Sequence, residues 1–137
     1  MKKLTPIEGN PLKADGGAMF GHVPKALWQK QFEADDENCI ALNCRSMLIE
    51  EDNKIILFEA GSGLFFPPAI RDRYGIGHDN LLIDNLAKAG VSPEDIDIIV
   101  LSHLHFDHIG GLVTPFNEGE EFQLQFPNAQ YIASKKN

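Results

Sequence analysis

The hydrophobic pattern predicts a set of short strands and helices. Residues 39–50 carry Ile40, Leu42, Met47, Leu48 and Ile49 and read as a strand region. Glu51-Asp52-Asn53-Lys54 is polar turn material, and Ile55-Ile56-Leu57-Phe58 is a second strand, so the pair predicts a hairpin. Ala60-Gly61-Ser62-Gly63 breaks the pattern, and a short helix follows over 69–74, ended by Gly75. Helical spacing returns at Leu82, Ile83, Leu86 and Ala87, which predicts a helix over 80–89 with Asp79 as its N-cap and Gly90 at its stop. Ser92-Pro93-Glu94-Asp95 resembles a second cap that opens only a turn. Residues 96–101 are almost wholly apolar and β-branched, the mark of a strand buried on both faces. Two more strands are read at 122–126 and 130–133. Upstream, the first 15 residues hold Pro6, Gly9, Asn10 and Pro11 and read as an irregular lead-in. Gly16-Gly17-Ala18-Met19-Phe20-Gly21 predicts backbone that packs closely or bends beside a pocket. Pro24 opens a short helix over 24–31, anchored by Trp28; Trp28 and Phe58 read as core residues. A strand, a helix and a buried strand in succession predict an α/β layer architecture.

The chemistry concentrates in Leu101-Ser102-His103-Leu104-His105-Phe106-Asp107-His108-Ile109-Gly110-Gly111. The run follows the buried strand, where α/β proteins place ligand groups. In extended backbone His103 and His105 share a face. Asp107 continues that face, and His108 is displaced as the chain turns. The economical geometry is two adjacent metal ions, one held by His103 and His105, the other by Asp107 and His108. Imidazole with carboxylate suits Zn²⁺, and also Mn, Fe or Co.

Composition narrows the partners. The chain has 137 residues, enough for one domain. Twelve Lys and Arg against 20 Asp and Glu leave a formal charge of −8. Such a chain is a poor fit to phosphate backbones or anionic membranes, so no nucleic acid and no membrane partner is expected. No apolar run approaches the ~20 residues of a membrane helix. Met1-Lys2-Lys3 has no apolar stretch behind it, so no export signal is read. Two cysteines, Cys39 and Cys44, suit a reduced, cytoplasmic setting. Their odd interval places them on opposite sides of a straight strand, which argues against a shared bond or metal.

His103-x-His105-x-Asp107-His108 resembles the HxHxDH signature of the metallo-β-lactamase superfamily. Two segments are similar to the quorum-quenching N-acyl-homoserine lactonase branch. One is Asp15-Gly16-Gly17-Ala18-Met19-Phe20-Gly21 with Pro24-Lys25-x-Leu27-Trp28; the other is the histidine run itself. The resemblance extends from about Asp15 to the end. It implies an αβ/βα sandwich with a dinuclear metal site at its edge and a metal-bridging hydroxide as nucleophile. It further implies a small-molecule substrate opened at a lactone or related ester bond. Asp107 would bind metal and pass a proton to the leaving alkoxide. Met19 and Phe20 would form the pocket wall, and His22 would face substrate. His78 is expected to face solvent or cap a helix.

Two departures accompany the resemblance. Glu59 stands where the family commonly has Asp, and its longer carboxylate could still orient a ligand histidine. After His108 the chain has neither His nor Asp, whereas the family's remaining ligands come later. The expectation is therefore that residues 1–137 are the N-terminal half of one metallohydrolase domain, inactive alone and completed by a missing C-terminal half or a companion chain. A homodimer is left open. The alternatives are a cleaved, non-catalytic half, or a relative acting on thioester, β-lactam or phosphotriester substrates.

Overall fold

In the computed structural model, which describes residues 2–135, five strands form one sheet in the order β1-β2-β3-β4-β5. Met1, Lys136 and Asn137, the ends of the expected domain 1–137, lie outside the described residues. β1 (Lys3–Asp15) leads into α1 (Gly16–Phe20) and α2 (Lys25–Trp28). The hairpin of β2 (Cys39–Glu51) and β3 (Lys54–Phe58) follows, then α3 (Pro68–Tyr74) and α4 (Leu81–Lys88). β4 (Ile98–Leu101), α5 (Phe106–Ile109) and β5 (Gln130–Ala133) complete the order. β1, β2 and β3 pair antiparallel, whereas β3, β4 and β5 run parallel.

The expected irregular lead-in is instead a 13-residue strand. β1 lies at the sheet edge, where a proline withdraws no ladder donor, so Pro6 and Pro11 are tolerated. The register slips between Glu8 and Pro11, a bulge that absorbs Gly9 and Asn10. Asn10 is buried there. Its Nδ2 donates to the Asp79 carbonyl at 2.7 Å, and its Oδ1 accepts from the Leu81 N–H at 3.2 Å. The start of α4 is thus satisfied from β1. The residue flanking the helix is Asn80, not Asp79 as the sequence suggested. Leu82 and Leu86 are buried as expected, Ile83 is half-buried, and Ala87 is exposed.

The core is the α4 side of the sheet. Leu48, Leu57, Ile99 and Tyr131 stand in register across four strands, and all belong to one cluster with Leu82, Leu86, Ile96 and Phe126. The opposite face carries Met47, Phe58, Val100 and Ile132 in register. Met47 is 37%, Phe58 38% and Ile132 43% exposed. Two expectations are corrected here: Phe58 is not a core residue, and β4 is not buried on both faces, since Ile98 and Val100 are half-buried. Among the described residues α4 covers one face, and nothing equivalent covers the other. The predicted strand at 122–126 is also absent; a single bridge joins Val113 to Leu124, and only Phe126 reaches the core. The helix expected over 24–31 contracts to the four residues of α2, with Pro24 preceding it.

Candidate functional site

The histidine run leaves the C-terminal end of β4 and turns at α5, whose single turn is preceded by His105 in extended conformation. Phe106 orients that turn. Its ring packs 5.2 Å from both Phe66 and Tyr74, within the cluster of Leu12, Leu64 and Ile76. Two backbone bonds clamp α5 to the loop after β3: Ala60 N–H to the His108 carbonyl at 2.9 Å and Gly111 N–H to the Gly61 carbonyl at 3.1 Å. The contact is close enough that a Cβ at Gly110 would collide with the Ser62 carbonyl, and one at Gly111 with that of Ala60. The paired glycines after the motif are therefore required by packing.

The structure brings His103, His105, Asp107 and His108 together. His103 Nε2 lies 3.1 Å from His105 Nδ1, with the two rings edge to face. The His103 and His108 ring centres are 4.0 Å apart. His108 Nε2 lies 3.5 Å from Asp107 Oδ2. The donor set fits divalent cations in part. Two imidazole nitrogens bound tetrahedrally to one Zn²⁺ at about 2.0–2.1 Å stand about 3.3 Å apart, near the 3.1 Å between His103 Nε2 and His105 Nδ1. Among the described residues, no group of three or more His, Cys, Asp and Glu side chains is arranged to hold an ion.

Glu59, at the end of β3, reaches into this group. Its Oε1 accepts from the Ser102 N–H and its Oε2 faces His108 Nδ1, both at 2.9 Å. Partial burial works to raise its carboxyl, but the bonds from Ser102 and the contact with His108 outweigh that and hold it below the usual carboxylate range. Ser102 Oγ in turn meets His103 Nδ1 at 2.9 Å.

A cleft of about 440 Å³ opens beside Asp107, His108 and Glu59. Met19, Leu12 and Leu42 form its apolar wall, and Cys44 and Arg45 also line it. Of the three residues suggested for substrate, Met19 meets the cleft and is 50% exposed. Phe20 stacks on Trp28 at 4.9 Å and packs on Phe32 at 5.0 Å. His22 is exposed in the turn after α1, and His78 is exposed before α4. The small residues of α1 serve the fold: a Cβ on Gly16 would stand 2.5 Å from the Trp28 ring, and Asp15 caps the helix through the Ala18 N–H at 2.8 Å. Sequence reasoning did not find Leu12, Leu42, Cys44 or Arg45, because nothing in β1 or β2 marks which residues face α5. Cys39 and Cys44 are free thiols, and burial raises that of Cys44.

Residues 40–114, more than half of the chain, match the metallo-beta-lactamase superfamily. Over 58 residues the chain is 36% identical to a probable metallo-hydrolase of Methanocaldococcus jannaschii, which is 42% of this chain and 23% of that protein. A solved probable metal-dependent hydrolase from Staphylococcus aureus aligns with 95% of this chain and 46% of its own, at 34% identity and a TM-score of 0.82. AidC, a dizinc quorum-quenching lactonase in complex with the product N-hexanoyl-L-homoserine, aligns with 98% of this chain and 42% of its own, at 28% identity and a TM-score of 0.70. The chain spans less than half the length of each of these relatives. Among the described residues no helix is long and apolar enough to cross a membrane.

Proposed function

The chain belongs to the metallo-beta-lactamase superfamily, and from that premise we propose that it is part of a metal-dependent hydrolase that opens lactones of the N-acyl-homoserine type. The observation that carries the reading is the meeting of His103 Nε2 and His105 Nδ1 at 3.1 Å, with Asp107 and His108 beside them, at the edge of a cleft. His103 and His105 would hold one divalent ion, and Asp107 and His108 a second; zinc suits these donors, and Mn, Fe or Co also do. When bound, such ions polarise a carbonyl oxygen and acidify water. The chain's own residues do the rest. Asp107, whose carboxylate lines the cleft, would take a proton and return it to the alkoxide released by ring opening. Met19, with Leu12 and Leu42, offers an apolar wall to an acyl chain and excludes water from it. Phe20 acts behind this wall by fixing α1 against Trp28, and His22 lies at the loop's outer end.

The likeness to AidC supports the lactone reading. A second reading is favoured by the lack of any three-donor group among the described residues. In it, this chain is one part of a centre whose remaining donors come from a continuing polypeptide or a companion chain, and it turns nothing over by itself. One panel tests both: pH-stat turnover on N-acyl-homoserine lactones, nitrocefin, a glutathione thioester and a phosphotriester, using the 137-residue chain and the complete protein, with and without chelator. The expected result is lactone opening by the complete protein, abolished by chelator and absent from the chain alone. Inert lactones beside rapid turnover of another class would overturn the substrate assignment.

A further inference from the structure

The segment that carries Asp107 and His108 needs support from outside itself. α5 is a single turn, and it runs directly into a 3₁₀ turn over Gly110–Leu112. So short a helix does not hold itself, because its nucleation is unfavourable. The last carbonyls of such a run also find no partner within it. Here both partners come from one half-buried residue on the loop that follows. Gln125 Nε2 donates to the Gly111 carbonyl at 2.9 Å, and the Gln125 N–H donates to the Leu112 carbonyl at 2.8 Å. Gly111 is thereby held through both of its backbone groups, since its N–H donates to the Gly61 carbonyl at 3.1 Å. Gly110 and Gly111 press too closely on the Ser62 and Ala60 carbonyls to admit a Cβ. In so tight a contact a shift of the turn has no room to relax and passes back to α5.

The orientation of the Gln125 carboxamide follows from its partners. A carbonyl only accepts, so the NH₂ faces Gly111. Oε1 then needs a donor, and Asn80 Nδ2 supplies one at 3.1 Å. Asn80 lies between Asp79 and Leu81, whose backbone groups are held by the Asn10 side chain. One directed chain of bonds therefore joins the turn behind His108 to the start of α4 and to the bulge in β1. We propose that Gln125 is a positioning residue of the centre: it caps the turn behind α5 and so fixes where Asp107 and His108 stand. The consequence for metal rests on the function proposed above; the consequence for α5 does not.

The polarity of the chain separates this role from plain packing. Gln125→Glu keeps the size and the acceptor for Asn80, but sets a carboxylate oxygen against the Gly111 carbonyl with no hydrogen between them. Gln125→Met keeps the length and loses both side-chain bonds. Asn80→Asp keeps the size and suits the start of a helix, but it offers Gln125 no donor and competes with Gly111 for the NH₂. Ile96→Val, a buried change ahead of β4 at the end away from the histidine run, is the control for lost stability. Amide hydrogen exchange on the metal-free complete protein reads α5 through the His108 and Ile109 N–H groups, both bonded to the His105 carbonyl, and reads the sheet through the amides of β3. Competition with a chromophoric chelator reads Zn²⁺ affinity, and urea denaturation reads stability. Q125E and Q125M should each speed exchange at His108 and Ile109 about 10-fold, the effect of one lost hydrogen bond, and weaken Zn²⁺ binding about 10-fold. N80D should speed the same two amides about 3-fold with stability retained. I96V should lower stability and leave α5 exchange and Zn²⁺ affinity at wild type. Wild-type α5 exchange in both Gln125 variants overturns the proposal. An I96V variant that loses as much Zn²⁺ affinity as they do also overturns it, because the effect is then one of stability alone. If both Gln125 variants fail to fold, N80D decides, and unchanged α5 exchange there overturns the proposal. If the wild type binds no Zn²⁺, the metal reading fails while α5 exchange still upholds or overturns the role of Gln125.

Discussion

Asp107 and His22 illustrate how differently two residues of one sequence reading fare at the residue scale. Asp107 is half-buried at the cleft with its carboxylate beside His108 Nε2. His22 is exposed and does not line that cleft. In the complete protein, Asp107→Asn should lower kcat about 10²-fold or more, since it removes both a proposed ligand and a proton carrier. His22→Ala should leave kcat near wild type and at most raise KM. Steady-state kinetics on a lactone checks this, and equal kcat losses would contradict the two roles. The motif was legible because four ligand-type side chains crowd into six positions after an apolar strand. For Glu59 the resemblance suggested only a carboxylate that orients a ligand histidine; that it meets His108 and the Ser102 N–H was not legible. Its reach depends on a left-handed backbone and on two elements that are distant in sequence.

At the scale of elements, the least legible feature was how β1 and α4 join. Pro6, Gly9, Asn10 and Pro11 argue against a strand, yet an edge position and a bulge accommodate them. Asp79 looked like the helix cap, but the Leu81 N–H is satisfied by Asn10 from the bulge. Asn10→Ala should therefore cost about 1–3 kcal/mol by stranding buried polar groups. Asp79→Ala should stay within about 0.5 kcal/mol, as an exposed substitution away from such features does. Urea denaturation of the two variants measures the difference, and the reverse order would restore Asp79 as the cap. The β2–β3 hairpin, α3 with Gly75 in the left-handed conformation at its end, and the buried pair Leu82 and Leu86 were all readable. Each rests on local periodicity and punctuation, which need no knowledge of neighbours.

For the whole molecule, the unbalanced sheet matters most. One face is closed by α4, while the other presents Met47, Phe58, Val100 and Ile132 in a row. An apolar row of that kind normally marks a surface covered in the working protein. The donors are unbalanced too, since each proposed ion has two ligands from this chain where a catalytic zinc typically takes three. Elemental analysis with native mass spectrometry should find fewer than two tightly bound Zn²⁺ per chain in residues 1–137 alone, and two in the complete protein. A monomer of the chain holding two tight ions and opening lactones would refute the shared-site reading. By itself the sequence determined the α/β layering, the place of the histidine run after β4 and the absence of His or Asp beyond it, since these are matters of local pattern and count. Only the tertiary structure decided which residues face that run. Leu12, Leu42, Cys44 and Glu59 meet it through sheet register, a bulge and one left-handed turn. A one-residue change in pairing would have turned each strand's side chains to the other face.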